Sequence, residues 1–143
     1  MAAIDNTMIS NILNATLPCG TTAKPAVFTA LSSAAGMKLK LTSTASTASA
    51  SGTELTGSGY TAGGTALTNS SSASSAGSAV TLPATAAVSW TNASGGNWVI
   101  NSLEITDNAG VRAWYGLFNG APITVANGNT FQIAVNAVTV SLS

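Results

Sequence analysis

Between Trp98 and Leu142 apolar residues return at every second place in short runs, and each run is bounded by residues that turn the chain. Antiparallel sheet is the structure that uses this pattern. In the first run, residues 99–106, Val99, Leu103 and Ile105 share one face, Asn101 interrupts it, and Glu104 and Thr106 take the other. Asp107, Asn108, Ala109 and Gly110 then predict a tight hairpin, since Gly110 can adopt positive φ. The return run, residues 111–118, places Val111, Ala113, Tyr115 and Leu117 on one face and Arg112, Trp114, Gly116 and Phe118 on the other. Turn signals at 119–122 and 126–129 introduce runs at 123–125 and 131–135, and residues 138–142 form the last.

Upstream, residues 5–17 carry Met8, Ile9, Ile12 and Leu13 at helical spacing, with Asp5 or Asn6 to cap the first turn and Pro18 and Gly20 to end the last. One short N-terminal α-helix is expected there, packed on the sheet or docked as an arm on a neighbouring subunit. Residues 26–31 and 37–41 read as strands, the second with Lys38 and Lys40 outward, where lysines discourage edge pairing. Residues 42–78 turn to Ser, Thr, Ala and Gly and read as a flexible insertion or as an arm of narrow strands and loops. Within that stretch Glu54 and Tyr60 stand apart, separated by Gly57 and Gly59. Two more runs, 79–82 and 86–90, precede a polar loop at 92–97. The chain is thus expected to be a single all-β domain over 1–143, with helix 5–17, arm or loops 42–78 and a β core of 26–41 and 79–142. An antiparallel β-sandwich of about eight strands fits that pattern.

Charge narrows the function classes. Four basic and four acidic residues cancel, and only 6% of residues are charged. No basic field exists to hold nucleic acid. So little charge also gives weak protection against association, so the chain is expected to end up bound to copies of itself or to a larger assembly. A hydrophobic content of 45% and a mean hydropathy of +0.37 argue against disorder. No apolar run reaches the length of a membrane span, and residues 1–6 lack the features of a signal peptide, so synthesis in the cytoplasm and no membrane partner are expected.

The chemistry on offer is sparse. The chain has no histidine, and Asp5, Glu54, Glu104 and Asp107 are its only carboxylates. Glu104 and Asp107 are expected to diverge across a strand end, not to converge on a bond. Cys19 follows a helix C-terminus, which disfavours a thiolate, and reads as a packing residue. No phosphate-binding loop or calcium loop is present. The expectation is no catalytic residue, no metal and no cofactor. Trp90, Trp98, Trp114, Tyr115 and Tyr60, helped by Asn92 and Asn97, could form a platform for sugar rings. In a domain this small, tryptophans belong more often to the core or to a subunit interface, and that is the preferred expectation.

Set in order, these pieces resemble a family of small tailed-bacteriophage virion proteins, described as capsid decoration or tail-fibre-like proteins. The likeness rests on the opening helix at 6–17, the strand at 26–31, the segment from Glu54 to Tyr60 and the run 79–83. It is closest at the end, over 100–107, 113–117, 120–133 and 138–142. Relatives carry an arginine soon after the Gly-Tyr pair, whereas Thr61, Ala62 and Gly63 stand here, so no role of that arginine is carried over. The resemblance implies a non-enzymatic capsid decoration protein, arranged in threes as a homotrimer, on the outer surface of the major capsid protein lattice of the virion. Its alternative is a tail-tip or tail-fibre component that binds the host surface. Ile4, Met8, Tyr60, Trp98, Trp114 and Tyr115 are the candidate subunit or capsid interface.

Overall fold

The computed structural model describes residues 37–67, 74–76, 79–81, 86–107, 109–135 and 137–141. Among them lie short strands and no helix. The expected helix at 5–17 and strand at 26–31, and with them Ile4, Met8 and Cys19, fall outside the described residues. The strands are β1 (Lys38–Thr42), β2 (Thr65–Ala66), β3 (Ser74–Ala76), β4 (Ala79–Thr81), β5 (Val88–Thr91), β6 (Trp98–Ile100), β7 (Ser102–Thr106), β8 (Arg112–Leu117), β9 (Ile123–Val125), β10 (Thr130–Ile133) and β11 (Thr139–Ser141). All strand pairings are antiparallel.

The pairing is nested. β7 pairs with β8, β6 with β9, β5 with β10 and β4 with β11, so the returning strands retrace the outgoing ones in reverse order. The described strands from β4 to β11 therefore form one long, interrupted ribbon. Its tip is the expected hairpin: Asp107 accepts the Val111 amide on Oδ1 at 2.8 Å, and Gly110, at φ +84°, donates to the Asp107 carbonyl at 3.1 Å. The turn signals at 119–122 and 126–129 make no hairpins of their own. They mark the places where the returning strand leaves one partner for the next.

Asn101 is the hinge of this exchange. Its amide donates to the Thr42 carbonyl at 2.8 Å, its Nδ2 to the Ser43 carbonyl at 2.6 Å, and its carbonyl accepts from the Phe118 amide. The run at 99–106 is accordingly two strands in two sheets, with β6 beside β9 and β7 inside the sheet β2-β1-β7-β8. Val99, expected to share a face with Leu103 and Ile105, is 41% exposed, while Trp98 and Ile100 are buried. β7 has no outer face to read, because Ser102, Glu104, Ile105 and Thr106 are all buried. A strand covered on both sides loses the alternation that an edge strand displays.

The apolar face of this sheet is set by register. Leu39 and Leu41 stand opposite Ile105 and Leu103 and share their face. They join one core with Met37, Leu55, Leu67, Val88, Trp90, Trp98, Ile100, Val125 and Ile133. Each leucine fully withdrawn from water contributes roughly 1.5–3 kcal/mol. Trp90 stacks on Phe131 at 6.1 Å, Phe131 meets the edge of Phe118 at 5.3 Å, and Trp90 Nε1 donates to Thr65 Oγ1 at 2.8 Å, tying β5 to β2.

Candidate functional site

The other face of the same sheet is polar, and it is buried as well. Lys40 and Thr42 stand opposite Glu104 and Ser102, and Tyr115 of β8 stands opposite Glu104 from the far side. A charged pair facing water would be worth little. Here residues 43–53 fold over it. Glu104 is fully buried, with Oε2 at 2.6 Å from Lys40 Nζ. Its Oε1 accepts from Ser46 Oγ at 2.7 Å and the Gly52 amide at 3.1 Å, with Arg112 Nη1 at 3.4 Å. Ser46 donates its amide to Ser102 Oγ at 3.0 Å, and Thr42 Oγ1 hydrogen-bonds the same hydroxyl. Arg112 completes the closure by donating to the Ala50 and Ala48 carbonyls at 2.8 and 3.2 Å, its guanidinium 5.0 Å above the Tyr115 ring.

Burial alone would push the Glu104 carboxyl upward, but Lys40, Ser46 and the Gly52 amide together hold it below its ordinary value. It is thus a buried anion fully occupied by internal donors, which suits it to hold a lid and not to transfer protons. The lysines were expected to be solvated. Lys40 is instead paired and only 14% exposed, because β7 brings Glu104 into register beside it.

A second polar knot seals the free edge of β1 beyond β2. Leu55 donates its amide to the Leu41 carbonyl at 2.9 Å, and the Leu41 amide donates to Tyr60 Oη at 3.2 Å. Tyr60 Oη donates to Glu54 Oε1 at 3.1 Å, which also accepts the Gly63 amide at 2.6 Å. Burial holds the Tyr60 phenol well above its ordinary value, so it remains a donor. Gly59 makes the knot possible: it has φ +93°, and a Cβ there would lie 1.8 Å from the Thr91 carbonyl oxygen.

The candidate interface residues divide. Trp98 is 3% exposed, in edge contact with Tyr60 at 6.5 Å, and its Nε1 is shielded without a partner. It belongs to the core. Tyr60 is half-buried and spent on the edge seal, whereas Trp114 and Tyr115 are half-buried on β8, an outermost strand of its sheet. The sugar platform is not assembled, since Trp90 is 2% exposed and Asn92 is buried. Asn92 closes a gap in the ribbon instead, donating from Nδ2 to the Gly96 and Val125 carbonyls at 2.8 Å each and accepting from Ser94.

Sequence reasoning missed Lys40, Ser46 and Arg112 as one cluster with Glu104. The available signal was opposite charge on the polar faces of two alternating strands. Among the described residues, Lys38, Lys40, Glu54, Glu104, Asp107 and Arg112 are the charged ones, and every one is buried or half-buried. What faces outward from them is largely Ser, Thr, Asn, Ala and Gly, with Val99, Val111, Leu117 and Val135 as the exposed large apolar side chains. No group of three or more His, Cys, Asp or Glu among the described residues could hold a metal ion. Comparison with protein-family models, with curated proteins and with solved structures finds no match.

Proposed function

We propose that this chain is a non-enzymatic capsid decoration protein that binds the outer surface of a phage major capsid protein lattice, arranged in threes, with its sheets packed as a sandwich. The observation that carries this reading is the withdrawal of charge: no charged side chain among the described residues is fully exposed. Such a surface recognises a partner by shape, apolar contact and neutral hydrogen bonds. Charge steering, which helps a protein find a dispersed ligand, is weak here. A neutral coat fits a subunit that sits on a large assembly and contacts neighbours of its own kind.

Stabilisation of the head would follow from binding the expanded lattice in preference to other states, since a ligand shifts an equilibrium by its differential affinity. Burial of Trp90 and Trp98 disfavours the alternative of a tail-tip component binding host glycans through an aromatic platform. The test is gold-labelled protein mixed with emptied heads and, separately, with isolated tails, imaged by electron microscopy. Regular labelling over the head is expected. It should persist from about 0.05 to about 0.5 M salt, a range over which exposed ion pairs are screened. Labelling confined to the tail tip would overturn the reading.

A further inference from the structure

We propose that Asn119 is a site of spontaneous self-modification, at which the Gly120 amide nitrogen attacks the Asn119 side-chain carbonyl carbon and expels ammonia. The bond that forms closes a five-membered cyclic imide. The bond that breaks releases the carboxamide nitrogen, which leaves with the proton that Gly120 gives up. Water then cleaves either imide carbon–nitrogen bond, leaving aspartate or isoaspartate. The sum is –NH2 exchanged for –OH at the cost of one water, with no oxidant, reductant or cofactor.

The chain holds two Asn-Gly pairs, Asn119-Gly120 and Asn127-Gly128, and they sit in matching turns. The first turn is closed by the Ala121 amide on the Phe118 carbonyl at 3.1 Å, the second by the Asn129 amide on the Ala126 carbonyl at 3.0 Å. Gly120 and Gly128 have φ of +77° and +86°. Both pairs are exposed. In each, the glycine has no Cβ to stand between its nitrogen and the preceding side chain. Dipeptide, turn and exposure therefore do not separate the two sites.

Hydrogen bonding does. The Gly128 amide donates to the Asn92 carbonyl at 2.7 Å, so the atom that would attack is already bonded. Asn127 Oδ1 accepts the Gly95 amide at 2.9 Å, which fixes the carboxamide that would be attacked. At the other turn, neither the Gly120 amide nor the Asn119 carboxamide has a partner among the described residues. Two ordinary hydrogen bonds to be broken first should slow Asn127 about tenfold relative to Asn119. The product carries a negative charge beside Leu117, on a surface where no charged side chain among the described residues is fully exposed. That charge is permanent, so its presence records the age of a copy. This chemistry does not depend on the decoration reading.

Ageing the folded full chain at mildly alkaline pH tests it, with samples read by isoelectric focusing and by peptide fragmentation in the mass spectrometer. An acidic band should grow, and the –NH2 to –OH mass change should accumulate at Asn119 about ten times faster than at Asn127. In denaturing urea, where the bonds to Asn92 and Gly95 are gone, the two sites should react at similar rates. Asn119→Gln, whose longer side chain does not close the five-membered ring, should remove the early acidic band from the folded chain. Equal rates in the folded chain, faster change at Asn127, or an acidic band unmoved by Asn119→Gln would overturn the proposal. A rate difference that survives urea would overturn the assignment of Asn127's protection to its two hydrogen bonds.

Discussion

Residues 43–64 and residues 98–125 both pack around β1, and they are held by opposite means. The second stretch contributes Trp98, Ile100, Ile105 and Val125 to the core. The first has Leu55 and Tyr60 as its only large apolar side chains and is fixed through Ser46, Gly52, Glu54 and Gly59. Small residues let the backbone itself reach a buried carboxylate. A segment poor in apolar side chains can thus be as closely placed as a core strand, provided a charge waits beneath it.

The largest break in this comparison is Glu104→Gln, which keeps the volume and removes the charge that Lys40, Ser46 and Gly52 share. A loss of about 3–5 kcal/mol is expected, as for a buried pair stripped of one partner. Urea unfolding should show it to be at least comparable with Leu41→Ala, expected at about 2–5 kcal/mol on the apolar face. Next is Gly59→Ala, where a left-handed backbone costs about 1–3 kcal/mol of strain before the collision with Thr91 is counted. Thermal unfolding should place its midpoint well below that of the parent chain. Ser46→Ala removes one donor to Glu104 and should cost about 1–2 kcal/mol in the same urea assay.

Much of the apolar half was legible in advance. The hairpin at 107–110 lies where its turn residues mark it, β8, β9 and β11 fall within the runs that alternation marks out, and β10 begins one residue before its run. Their partners were not legible, because alternation reports faces and says nothing of which strand lies alongside. Val99 was grouped on one face with Leu103 and Ile105 since Asn101 looked like an interruption in one strand, when it is the point where two sheets exchange the chain. The role of residues 43–64 was hidden for a different reason. Ser46 and Gly52 find their partner in Glu104, more than fifty residues away, and no local pattern of serine and glycine announces a distant carboxylate. The charges on β1 and β7 were visible, yet only register brings them together.

Smaller effects sharpen the contrast through pH. Glu104 titrates lower in the folded chain than its ordinary 4.5, so its contribution is complete above that value and is lost as pH falls through the folded value. Tyr60 is shifted upward from 10.0, so its contribution is complete below pH 10.0 and is lost as pH rises beyond it. Urea midpoints measured from acid to alkaline pH should therefore decline at both ends, and Glu104→Gln should flatten the acid limb. The smallest effect is expected at the outward Val99, where Val99→Thr should change stability by no more than about 0.5 kcal/mol.

Amide hydrogen exchange at Ser46 and Gly52 is the most direct test of how the lid is held. Both amides are bonded into the Glu104 cluster, Ser46 through Ser102 and Gly52 to the carboxylate itself. They should exchange as slowly as the amides of β1 in the native chain, and should lose that protection selectively in Glu104→Gln while β5 and β10 keep theirs. Rapid exchange of both in the native chain would mean that residues 43–53 are not anchored at Glu104, and would contradict it.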